Sequence, residues 1–232
     1  MQDLLAKIHR DGYWRVVIRP VEFKADRIPT LGRCKEIVET SVVSLRGWDY
    51  PYVQQNSLEL GQDWIASSCD WEQGLHFEYW RFHQSGQFVH YFNCWEEAHP
   101  LSRSPAPAKY LLVLNTLFTV TEIFEFGARL ARQDALGSAA EVVVELHGIS
   151  GWELTYQHVM QALLFARGKK YVAQQDDIQF QTQVPVSRLL GSTRDLAIDG
   201  AVNVFERFGW FNPSRQMLTQ EQAKFLERRL GV

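Results

Sequence analysis

The chain has 232 residues, 46% of them hydrophobic and 22% charged, with a formal net charge of -3. That composition excludes extended disorder and leaves no global basic field to draw in nucleic acid, although a local basic patch stays compatible with it. Three widely spaced cysteines, Cys34, Cys69 and Cys94, include no Cys-x-x-Cys pair, so a disulfide framework or a structural zinc site is not expected and a cytoplasmic setting fits best.

The amino-terminal MQDLLAKIHRDGYW mixes both charges with a short apolar stripe, which predicts an amphipathic helix rather than a signal peptide. The β-branched YWRVVIRP (Tyr13 to Pro20) predicts a strand and residues 27–40 a helix. SVVSLRGWDYP then reads as a second strand running out at Gly47 and Pro51. Residues 52–61 form a polar loop, and residues 62–71 a further strand.

Leu75 to Trp95, LHFEYWRFHQSGQFVHYFNCW, predicts one β-hairpin carrying eight aromatics and three histidines. A two-residue Ser85-Gly86 loop would oppose Arg81 to His90, Trp80 to Tyr91 and Tyr79 to Phe92. Because successive side chains alternate, Tyr79, Arg81, His83, Phe88 and His90 would then share one face and Trp80, Phe82, Val89 and Tyr91 the other. A pair of strands aromatic on both sides belongs in the middle of a sheet.

Residues 96–108 contain Pro100, Pro105 and Pro107 and predict a mobile connection. Tyr110 to Ala131 repeats apolar residues at helical spacing, while Glu122, Glu125 and Arg129 keep it short of the roughly 20 apolar residues of a membrane span. Residues 139–148 predict a strand, 157–166 a short helix, and DIQFQTQVPV an edge strand, since Pro185 cannot donate to a ladder. One helix follows an Asp195 N-cap and a last one starts at Thr219. Strands interleaved with a few helices predict an α+β fold over a single domain, 1–232: a mainly antiparallel mixed sheet with a central aromatic hairpin, packed by helices.

The blocks RGWDYP (Arg46 to Pro51), Asp70-Trp71, EYWRFHQSGQFVHYF (Glu78 to Phe92) and TEIFEFGARL (Thr121 to Leu130) make the chain resemble a group of uncharacterised bacterial proteins of similar length that carry RGWD and EYWRFxQSGQF blocks. The resemblance implies a soluble bacterial protein and transfers no catalytic residue.

Two clusters carry candidate chemistry. Arg81, His83 and His90 beside Tyr79 could hold a phosphate and move protons, the guanidinium supplying charge and the imidazoles acid and base. The structural alternative is a packed sheet in which Arg81 stacks on rings and the histidines are hydrogen-bonded. Arg46, Trp48 and Asp49 form the second: Trp48 could stack on a partner while Arg46 meets a phosphate or carboxylate, or Arg46 and Asp49 simply tie down their loop. Asp63, Asp70 and Glu78 lie on consecutive predicted elements but lack the lysine of an Asp…Glu-x-Lys nuclease, and no metal is expected. Arg167, Lys169 and Lys170 form a small basic run, with Arg228 and Arg229 near the end. No cofactor fingerprint, phosphate loop or nucleophile elbow occurs. The leading expectation is a non-enzymatic interaction protein with a protein partner, working as a subunit of a larger bacterial assembly. Nucleic-acid binding or metal-independent cleavage in host defence, through Arg81, His83 and His90, is the alternative. A homo-oligomer is compatible with either, and a membrane with neither. An interaction module needs an exposed apolar patch, at Trp48, Trp71 or Trp95; a nuclease needs Arg81 and both histidines in one open cleft.

Overall fold

A computed structural model describes residues 2–54, 58–98, 101, 109–157, 165 and 168–227. The first helix, α1 (Gln2–Ile8), leads into β1 (Tyr13–Pro20). Helix α2 (Leu31–Ser41) starts at Thr30, whose hydroxyl accepts from the Arg33 N–H at 3.1 Å, so the cap sets the boundary four residues after the predicted start. The predicted strand over 41–51 is instead a small hairpin of β2 (Val43–Ser44) and β3 (Asp49–Tyr50), because Gly47 turns the chain with φ +88.

A short β4 (Glu59–Leu60) then precedes β5 (Trp64–Trp71), β6 (His76–His83) and β7 (Phe88–Asn93). Beyond the proline-rich stretch come β8 (Tyr110–Leu112), α3 (Val113–Arg132), β9 (Ala139–His147), β10 (Glu153–Thr155), β11 (Tyr171–Val172) and β12 (Ile178–Pro185). Three helices close the described chain: α4 (Val186–Gly191), α5 (Thr193–Arg207) and α6 (Arg215–Glu227). Asp195 therefore lies in the first turn of α5 rather than capping it. The last helix starts four residues before Thr219, at Arg215, just after Ser214, whose hydroxyl accepts from the Met217 N–H. Most of the expected connection over 96–108 and of the helix over 157–166 lies outside the described residues.

The main sheet runs β12-β9-β1-β7-β6-β5-β4, every neighbouring pair antiparallel, and a three-stranded sheet holds the parallel pair β8 and β10. The fold is thus α+β, with the aromatic hairpin β6–β7 at its centre. Its inner face presents Trp14, Val16, Ile18, Phe82, Phe88, Val142 and Val144 to α2, α3 and α5, with Phe88 and Phe126 of α3 at 4.7 Å between ring centroids. Each such buried side chain contributes roughly 1.5–3 kcal/mol. On the outer face α1 covers Phe77, Tyr79 and Ala66 with Leu4 and Ile8, and further along a polar lattice of Arg15 with Glu145 and Arg19 with Glu141 remains. Among the described residues no helix is long and apolar enough to cross a membrane.

The hairpin register differs by one residue from the expected one. Trp80 opposes His90, Arg81 opposes Val89 and Phe82 opposes Phe88. A two-residue loop ending in glycine would force Ser85 to a positive φ, whereas a three-residue loop, Gln84 to Gly86, needs only its last residue there. Gly86 has φ +86, and the turn closes through Gly86 N–H to the His83 carbonyl at 2.9 Å. Because side chains alternate, the slip carries His90 to the inner face. Gly86→Ala is expected to lose about 1–3 kcal/mol from backbone conformation alone. It should lose more in total, since a Cβ would lie 2.1 Å from the Ala135 carbonyl oxygen. Urea unfolding measures this, and a loss under about 0.5 kcal/mol would mean that the turn is readily rebuilt.

Candidate functional site

The register change dismantles the first predicted cluster. His90 is 0% exposed, packed against Tyr50 and Phe92 at 5.1 and 4.7 Å between centroids, while Arg81 and His83 lie on the opposite face of the hairpin. There Arg81 sits 4.0 Å above the Trp64 ring and donates to the Tyr79 hydroxyl at 2.9 Å, and His83 lies 3.4 Å from Asp63. The three groups cannot meet one phosphate, so the arrangement that the cleavage alternative required is absent. The three carboxylates do not converge either. Asp63 precedes β5 and Asp70 lies near its far end, about 23 Å away at strand rise, and Glu78 turns inward. Among the described residues no group of three or more histidine, cysteine, aspartate or glutamate side chains could hold a metal ion.

The second cluster is anchored from within. The 45–48 loop drops Arg46 onto α3, where Asn115, Thr119 and Glu122 follow at spacings that bring them to one helix face. Arg46 donates to all three, to Thr119 at 3.1 Å and to both Glu122 oxygens. Glu122 is 0% exposed, and its burial raises the carboxyl above the ordinary range even though Arg46 pulls the other way. Asn115 in turn donates to Glu96 at 2.9 Å, an oxygen that also accepts from the Leu112 N–H at 3.0 Å. Burial likewise raises the Glu96 carboxyl. Arg46 is thus the loop's internal tether and is not presented to a ligand. Asp49 caps the same loop by accepting from the Ser44 hydroxyl.

With its arginine tied inward, the loop turns Trp48 outward, the Arg46 guanidinium stacking on its ring at 5.0 Å. Next to it, β6 grips Tyr52 by both backbone groups: the Glu78 carboxylate accepts from the Tyr52 N–H at 2.7 Å, and the Trp80 indole donates to the Tyr52 carbonyl at 2.7 Å. Glu78 also accepts from His76 at 3.1 Å, with His90 farther off at 3.7 Å. Burial pushes the Glu78 carboxyl up, but the two imidazoles outweigh it and bring it down to about 2.

Around these supports lies a cleft of about 670 Å³ whose walls include Trp48, Asp49, Tyr52, Trp71, His76 and Trp95. Trp48 and Trp95 also border a second cavity of about 530 Å³, floored by Arg46, Asn115, Phe118 and Phe225. They form the partition between the two. Trp48 is 41% and Trp71 56% exposed, in contrast to the fully buried Trp80 and Phe88. Tyr52, His76 and Glu96 were not legible as site residues, and Glu78 stood out only as a candidate metal carboxylate. Tyr52 sits in a polar stretch, and the glutamates matter only once the folded chain buries them. Of the basic run, Lys170 pairs with Glu153 at 3.2 Å, while Arg167, Arg228 and Arg229 lie outside the described residues. No family model, curated protein or solved structure matches this chain.

Proposed function

We propose that the chain is a non-enzymatic interaction protein of the bacterial cytoplasm, a subunit or partner of a larger assembly, which docks through the cleft between Trp48, Tyr52, Trp71 and Trp95. The observation that carries this reading is the concentration of exposed indole and phenol rings around one concave surface. Protein interfaces draw most of their binding energy from a few such rings set in a pocket, tryptophan and tyrosine foremost. The tethers described above support it as well. Holding Trp48 and Tyr52 through buried charged groups keeps the wall rigid, which lowers the ordering cost of association.

Site-specific photocrosslinking in living cells tests the reading. A benzoylphenylalanine at Tyr52 or Trp71 is expected to give one discrete adduct, removed by Trp48→Ala. The same group at Phe23, exposed elsewhere on the surface, should give none. Equal adducts from all three positions, or none from the cleft, would rule the reading out.

A further inference from the structure

The cleft's described walls offer rings and negative charge, and the cation nearest Trp48, the Arg46 guanidinium 5.0 Å from its ring, borders the second cavity rather than this one. Among its described walls there is no lysine or arginine. Asp49 is exposed and, among the described residues, has the Ser44 hydroxyl as a partner and no cation within ion-pair distance. Behind His76 lies the ionised Glu78. Asp70, at the rim, is already satisfied, since Lys7 reaches both its oxygens from the outer face at 2.8 and 3.1 Å. Aromatic faces carry the negative end of the ring quadrupole, so a site walled by indoles and a carboxylate without a paired cation attracts an organic cation and disfavours an anion.

The shape narrows the cation. A guanidinium is flat, sheds water more readily than an ammonium, stacks on an indole and pairs edge-on with a carboxylate. The chain already makes that contact twice, Arg81 on Trp64 at 4.0 Å and Arg46 on Trp48 at 5.0 Å. About 670 Å³ exceeds one side chain and falls within the roughly 300–1,000 Å³ typical of ligand sites, room for an arginine with its flanking residues.

We propose that the cleft receives an arginine side chain from an extended segment of the partner protein, its guanidinium stacked on the tryptophan walls and paired with Asp49. This rests on the docking reading above and adds the chemistry of the occupant. Acetyl-Gly-Arg-Gly-amide is the probe, with the citrulline and lysine tripeptides as controls, read on the indole N–H signals of the intact protein after assignment by single Trp→Phe variants. The arginine peptide is expected to shift the Trp48 and Trp71 signals, and the citrulline peptide to leave them in place. Asp49→Asn should weaken the arginine peptide about three- to tenfold. Trp71→Leu, which leaves the Ser44 contact intact, should weaken it by a similar factor. Citrulline or lysine binding as well as arginine, no indole shift with any peptide, or wild-type affinity in both variants would overturn the assignment. The two readings separate cleanly. Cellular adducts from Tyr52 and Trp71 without arginine preference leave docking standing and remove the cation, whereas arginine-peptide binding without adducts removes the protein partner, and with it the partner's arginine, and leaves only a cation-binding cleft.

Discussion

Replacing Arg46 by methionine is expected to cost the fold about 3–5 kcal/mol, the typical result of removing one partner from a buried ion pair. The size follows from what stays behind. Glu122 is fully buried and its described side-chain bonds all come from Arg46, so the variant must either keep a lone carboxylate in the core or protonate it. Burial already raises this carboxyl in the intact protein, and loss of the guanidinium removes the opposing influence. The sign of the pH dependence is then fixed. A carboxyl whose folded pKa lies above its unfolded value costs stability at neutral pH and returns it as the pH falls. Arg46→Met should therefore recover part of its loss on mild acidification. Chemical denaturation at pH 7 and pH 5 measures both effects, and a cost below about 1 kcal/mol at pH 7 would show Glu122 to be reached by water.

The double variant Arg46→Met/Glu122→Leu separates stability from function. Two apolar side chains of similar volume often replace a buried pair without net loss, because the desolvation of both charges disappears together. Stability should return to near that of the parent chain. The guanidinium beneath Trp48 and its bonds to Asn115 and Thr119 do not return, so the partition between the two cavities loses its anchor and cleft binding should stay impaired.

The α+β class, the antiparallel sheet and the central place of the hairpin were legible because period-2 aromatic and β-branched runs such as Tyr13 to Pro20 admit few other structures. The candidate cluster on that hairpin was not, and the reason is one residue of loop length. Gly86 in the last place of a three-residue turn and Gly86 in the second place of a two-residue turn share the same string, yet they put His90 on opposite faces. The RGWD block illustrates the other limit. Its prominence marked an important loop, but Arg46 finds Glu122, Thr119 and Asn115 some seventy positions away, and no local pattern announces such a partner. Trp71 and Trp95 are likewise separate in the chain. Only the folded chain brings them to the walls of one cleft.

Acid should loosen the opposite wall of the cleft through Glu78. Its carboxyl titrates at about 2 in the fold against an ordinary 4.5, so it stabilises the native state above the ordinary value and progressively ceases to do so between about pH 5 and pH 2. A shift of that size corresponds to something on the order of 3 kcal/mol. Glu96 and Glu122 act in the opposite direction, since burial raises both, so the wild-type curve alone does not isolate Glu78. Glu78→Gln does. The amide can still accept from the Tyr52 N–H through one oxygen, but it places an NH2 group where a carboxylate oxygen faces His76 at 3.1 Å. Expected are a loss of about 2–3 kcal/mol at pH 7 and a flatter stability profile between pH 5 and pH 2, with the two proteins converging toward the acid end. A Glu78→Gln profile parallel to that of the parent would place the acid-sensitive groups elsewhere and leave the grip on Tyr52 to the neutral bond from the Trp80 indole.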